Sequence, residues 1–137
     1  MNLVKFRVIG AVLAIAGMFV MLTPLPVDAE LIGLVKNVVS DAYGTPPGTQ
    51  REEKRPRFPV VHNELLETGA GSAILVEFLD KTTLSLGADA HLTIETYVYD
   101  PTSHKGTSVY KLSIGTLRFI SGRMITKNVR IQTPSAS

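Results

Sequence analysis

Asp89 and His91 stand two residues apart, with Ser85 shortly before them. On a strand or turn that spacing sends both side chains to one face, and a serine, a histidine and a carboxylate in one hydrogen-bonded chain make a hydrolytic nucleophile. Such chemistry also needs donors for an oxyanion, which the spacing does not supply, so the three read as polar side chains on a solvated face. His62, His91 and His104 are dispersed and lack ligand spacing such as His-Glu-x-x-His, so neither a metal site nor a catalytic set is expected. Glu77 and Asp80 can be drawn as a carboxylate pair. Glu77 falls on an outward strand position, however, and Asp80 is a turn former, so solvent exposure accounts for both. Gly69 and Gly71 do not form GxGxxG ahead of a helix; turn geometry is their expected role, and no cofactor is implied.

The tyrosines offer more. Tyr97 and Tyr99 share the face opposite Leu92 and Ile94, and Tyr110 follows later in the chain. Outward tyrosines at i and i+2 stack on a sugar or a partner protein, or equally pack against a neighbouring strand or loop. Tyr97 and Tyr99, with Glu95 and His91, form the candidate recognition surface. Arg51, Lys54, Arg55 and Arg57 would make a basic patch, but Glu52 and Glu53 sit among them and leave only +2, which favours a solvated loop over an anion site.

These side chains must be carried by strands. Gly69 to Asp100 alternates three times. Ile74, Val76 and Phe78 share one face; Leu84 and Leu86 repeat the pattern after Asp80-Lys81, and Leu92 and Ile94 repeat it after Gly87-Ala88-Asp89. That row should hold the fold, with Glu77, Thr83, Ser85, His91, Thr93, Glu95, Tyr97 and Tyr99 facing outward. A second block follows the polar loop after Asp100-Pro101: Tyr110, Leu112 and Ile114 share a face, then Leu117 and Phe119, then Val129, Ile131 and Thr133. Upstream, Glu30 to Gly44 fits one strand, bent or straight. Thr45 to Pro59 holds four of the eight prolines and should be an exposed loop. Short strands at these intervals, with no run suited to a long amphipathic helix, predict an all-β sandwich, β-roll or short solenoid, with helix only in an N-terminal signal segment.

That segment is Met1 to Ala29. Lys5 and Arg7 precede the apolar run Val8 to Thr23, Pro24 and Pro26 end it, and Val27-Asp28-Ala29 suits a signal peptidase. Cleavage after Ala29 leaves 108 residues, Glu30 to Ser137, as one β domain. An uncleaved anchor is the alternative, and it would be the only membrane contact. Either way a periplasmic or secreted location follows. Setting aside Lys5, Arg7 and Asp28 leaves 12 basic and 11 acidic residues, a balance too even for phosphate neutralisation, so nucleic acid is not an expected partner. With no cysteine there are no disulfides, thiolate ligands or cysteine nucleophiles, and packing and hydrogen bonds must hold the domain.

The order TGAGSAILVEFLDKTTLSLGADAHLTIETYVYDP, then KLSIGTLRFISGR, then IQTPSAS resembles the FecR domain family of bacterial extracytoplasmic proteins. The matching elements are Thr68 to Gly71, Phe78 to Thr82, Leu84 to Gly87, Tyr99 to Pro101, Gly115 to Gly122 and Thr133-Pro134. The resemblance implies structural roles for Gly69, Gly71, Asp80, Gly87, Asp100, Pro101, Gly115, Gly122, Thr133 and Pro134. Three departures stand out. Lys81 takes the glycine position of the family's Asp-Gly-Thr turn, where positive φ is expected. The family continues beyond Thr-Pro into an Arg-Gly-Thr element, so the domain is expected to be incomplete at its C-terminus. Only seven residues precede the apolar run, so the cytoplasmic anti-sigma region of regulatory members is not expected. The function implied is a non-catalytic extracytoplasmic module that binds an envelope protein or polymer. The alternative implied is a signal-transmitting regulator linked to iron-siderophore uptake.

Overall fold

A computed structural model describes residues 30–124 and 128–134, so the expected signal segment lies outside the described residues. Eleven strands follow one another: β1 (Leu31–Val39), β2 (Ala42–Thr45), β3 (Glu52–Glu53), β4 (Pro59–Val61), β5 (Leu65–Thr68), β6 (Ala73–Phe78), β7 (Thr83–Leu86), β8 (His91–Asp100), β9 (Lys105–Ile114), β10 (Leu117–Ile120) and β11 (Val129–Gln132). Among the described residues there is no α-helix. The fold is all-β, as the alternation predicts. Five strands form one open sheet in the order β10-β7-β6-β1-β4, and six form another in the order β11-β9-β8-β5-β2-β3. Every pairing is antiparallel except β11 with β9.

The expected inward row is buried throughout, from Ile74, Val76 and Phe78 on β6 through Leu84 and Leu86 on β7 to Leu92 and Ile94 on β8. The first two strands lie in the five-stranded sheet and the third in the six-stranded sheet, so one alternation supplies both walls of one core. Phe78 stacks on Tyr97 at 5.1 Å between ring centroids, and Tyr110 sits 5.7 Å from Phe78 and 5.5 Å from Phe119. Burying such side chains contributes roughly 1.5–3 kcal/mol each, which a small domain without cross-links needs.

Glu30 to Gly44 forms two strands rather than one. At Ser40, with φ of 62°, and Asp41 the chain leaves β1 in the five-stranded sheet and enters β2 in the other. Four further expectations are corrected. Tyr97 is buried, because a bulge between Ile94 and Thr96 adds a residue to β8 and reverses the facing of everything beyond it. Ile114 is exposed, because a second irregularity, opposite His91 and Leu92, breaks the row begun by Tyr110 and Leu112. Lys54, expected in a solvated loop, is fully buried, as is Asp80 in its turn.

Candidate functional site

On the outer face of the six-stranded sheet, residues alternating with the buried Ala42, Leu66 and Leu92 point to solvent. Tyr43 pairs across with Glu67, and Glu67 with His91, so three strands present one continuous row. Arg51 reaches over from the preceding loop: its Nε lies 3.2 Å from Glu67 Oε1, and its guanidinium carbon stands 3.8 Å above the Tyr43 ring. His91 Nε2 approaches the other Glu67 oxygen at 3.5 Å. The row thus offers an aromatic face, a guanidinium, a carboxylate and an imidazole side by side, a set suited to polar recognition at a surface. Exposed ion pairs of this kind add little stability, typically under about 1 kcal/mol, so the row is not needed to hold the sheets together.

Of the four sequence candidates, His91 belongs to this row and Glu95 lies partly exposed further along β8. Tyr99 is half-buried against the core and stacks with His104, centroids 6.3 Å apart and planes 3° from parallel. Tyr97 is inside the protein. Tyr43 and Glu67 carry no sequence signal and Arg51 reads as part of a solvated loop, because cross-strand register brings them together; an aromatic and a carboxylate on neighbouring strands far apart in the chain leave no spacing signal. Ser85 and His91 sit in different sheets, and Asp89 is in an exposed turn, so the hydrolytic triad does not assemble. Among the described residues no three His, Asp or Glu side chains gather as a metal set.

Beneath the surface is a second constellation. Asp80 Oδ1 accepts from the Tyr97 hydroxyl at 2.6 Å and from Thr82 N–H at 3.2 Å. Oδ2 accepts from Thr82 Oγ1 at 2.7 Å and from Met124 N–H at 3.1 Å. Burial pushes the Asp80 carboxyl up, but these hydrogen bonds, led by Tyr97, outweigh it and hold the group below the usual carboxylate range. Burial and the bond to Asp80 raise the Tyr97 hydroxyl well above the ordinary tyrosine range. With both oxygens engaged, Asp80 is an anchor and not a base. Gly122 is required beside it, since a Cβ there would overlap the Asp80 carbonyl and the Thr82 nitrogen.

A third cluster fixes the long loop. Lys54 Nζ donates to Glu52 Oε2 at 2.9 Å and to the Pro59 carbonyl at 2.8 Å, and lies 2.7 Å from Glu64 Oε2, with both Lys54 and Glu64 side chains fully buried. Lys54 thus holds one Glu64 oxygen, and the other, Oε1, accepts from Val61 N–H at 2.9 Å. Burial raises the Glu64 carboxyl against the pull of Lys54 and that N–H.

The remaining motif residues serve the backbone. Thr68 Oγ1 donates to the Gly87 carbonyl at 2.6 Å and accepts from Ala90 N–H at 2.9 Å, while the Gly69 carbonyl accepts from Ser72 and Asp89. Gly71 holds φ of 65°, and Gly115, with φ of 99°, passes close to Ala90. Asp100 caps the Pro101 turn: Oδ1 takes Thr102 N–H at 2.9 Å and Oδ2 takes Ser103 Oγ at 3.0 Å, bonds that lower its carboxyl. Thr133 and Pro134 follow β11 beside Leu112 and Ser113. A family model described as FecR protein matches residues 64–137, a span that begins at the buried Glu64 and takes in the Asp80 cluster. No curated protein and no solved structure matches the chain.

Proposed function

The chain belongs to the FecR family, and on that premise we propose that it is a non-catalytic extracytoplasmic module that binds an envelope protein or polymer through the outer face of its six-stranded sheet. The observation that carries this reading is the row Tyr43–Glu67–His91 with Arg51 laid over it, polar and aromatic groups on three strands that the core does not use. The family is one of signal-transducing regulators, so binding at this face would be the input of a regulator; a link to iron-siderophore uptake is the finer form of that reading.

The test is capture by the immobilised full chain of purified cell-wall glycan and of solubilised envelope proteins, offered separately, with hydrogen exchange followed on β2, β5 and β8. Arg51→Ala with His91→Ala should weaken capture about tenfold or more, the loss expected of residues central to an interface, with an unchanged melting temperature. Undiminished capture, or exchange protection confined to other strands, would overturn the assignment. For the finer reading, deletion of the gene under iron limitation should change an uptake transcript, and an unchanged transcript removes it.

A further inference from the structure

The outward face at one end of the five-stranded sheet is apolar where a solvated sheet is ordinarily polar. Leu31, Leu34 and Leu79 are 47%, 43% and 53% exposed and line one shallow groove of about 200 Å³, with Glu77 and Lys81 at its border. Leu31 and Leu34 are three apart and would oppose each other on a regular strand; a bulge between Leu31 and Gly33 brings both outward. Leu79 joins them because its N–H bonds to the Ile32 carbonyl at 3.1 Å.

One cation, Lys81, lines the groove, and two more, Lys36 and Arg57, lie on or beside β1. Lys36 offsets Glu77 at 3.6 Å, whereas Lys81 and Arg57 are exposed and in no ion pair among the described residues. Arg57 is held at this edge by its N–H, which donates to the Val35 carbonyl at 2.7 Å.

We propose that this leucine face lies against a lipid bilayer, with Leu31, Leu34 and Leu79 entering the interface and Lys81 and Arg57 meeting anionic headgroups. The apolar run Val8 to Thr23 is separated from Glu30 by only six residues, which span at most about 20 Å when extended. While that run is in the bilayer, as a leader or a lasting anchor, Leu31 is held close to the membrane surface. A protein partner is the poorer fit, because three leucines around a groove of this size fall well short of the roughly 800 Å² per side of a stable pair. A bilayer needs only shallow apolar insertion and cations at its headgroups.

The absence of cysteine permits a direct test on the full chain. Leu79→Cys, and separately Lys111→Cys on the other sheet, are labelled with an environment-sensitive fluorophore. The proteins are added to vesicles of equal parts phosphatidylethanolamine and phosphatidylglycerol, with and without brominated acyl chains. The Leu79 label should shift to the blue and be quenched by bromine, and the Lys111 label should do neither. Adding Leu31→Asp and Leu34→Asp should reduce the quenching of the Leu79 label about tenfold, since charge is expelled from the interface. The proposal is overturned if both labels report water, if both are quenched alike, or if the blue shift depends on protein concentration without vesicles, which would mark a contact between copies. Each site is exposed, so labelling leaves the core intact.

Discussion

Tyr97 on β8 and Asp80 in the β6–β7 turn hold the two sheets together by a reciprocal pair: the hydroxyl donates to Oδ1 at 2.6 Å and accepts from the Asp80 N–H at 3.1 Å. Tyr97→Phe keeps the stack on Phe78 but leaves a buried carboxylate one donor short and a buried N–H without its acceptor. The expected cost is about 1–3 kcal/mol in urea unfolding. A change within experimental error would mean that the stack alone couples the sheets.

The same carboxylate gives the domain an acid limit. Its folded value is depressed, so the stability it contributes is present above the unfolded aspartate value of about 4 and is lost as pH falls from there through the folded value. Unfolding followed from pH 6 downward should show stability declining below about pH 4. Asp80→Asn should start less stable at neutral pH and decline less steeply over the acid range. Parallel curves for the two proteins would remove Asp80 as the source.

Lys54 and Glu64 should behave as a coupled pair. Lys54→Met strands a buried carboxyl and is expected to cost about 3–5 kcal/mol, while adding Glu64→Leu should recover part of that loss. Gly44→Ala places a methyl group against the same pair, where it overlaps the Glu64 carboxyl and the Lys54 stem, and should cost about 1–3 kcal/mol. Thermal unfolding of these three variants and of Glu64→Leu alone closes the comparison. Strict additivity of the Lys54 and Glu64 changes would refute the coupling.

Lys81 holds φ of 72°, in the left-handed region. Lys81→Gly should therefore stabilise the domain by about 0.5–1 kcal/mol, with the glycine's greater unfolded-state entropy offsetting part of the relief. Urea titration reads this directly, and a destabilised Lys81→Gly protein would show that the lysine stem contributes packing larger than the backbone strain.

The seven inward residues from Ile74 to Ile94 were legible because strict alternation survives wherever strands are regular. Legibility ended at irregularities. One inserted residue near Glu95 carried Tyr97 from the predicted surface to the core, and nothing local in ETYVYD marks the bulge; it exists because β9 supplies fewer residues opposite that stretch. Buried polar groups failed for a related reason. Asp80 and Lys54 look like solvent-facing residues until their partners are known: Tyr97 and Met124, remote in the chain, for one, and Glu64 and the Pro59 carbonyl, brought in by the fold of the long loop, for the other. The Asp-x-Thr turn was the one visible hint, since a carboxylate two residues before a threonine readily bonds its N–H. The surface row was only partly visible for the same reason: His91 was singled out, but Tyr43 and Glu67 become its neighbours only through strand pairing.

The Met124 N–H that completes the Asp80 cluster lies 44 residues further along the chain. A polypeptide emerging N-terminus first therefore presents the β6–β7 turn, and even Tyr97 on β8, well before the closing donor exists. Until then, the carboxylate faces burial with one of its bonds missing. The Asp80 cluster therefore gains its full set of bonds only once Gly122 to Met124 are in place, which ties the earliest turn of the alternating strands to a stretch made far later.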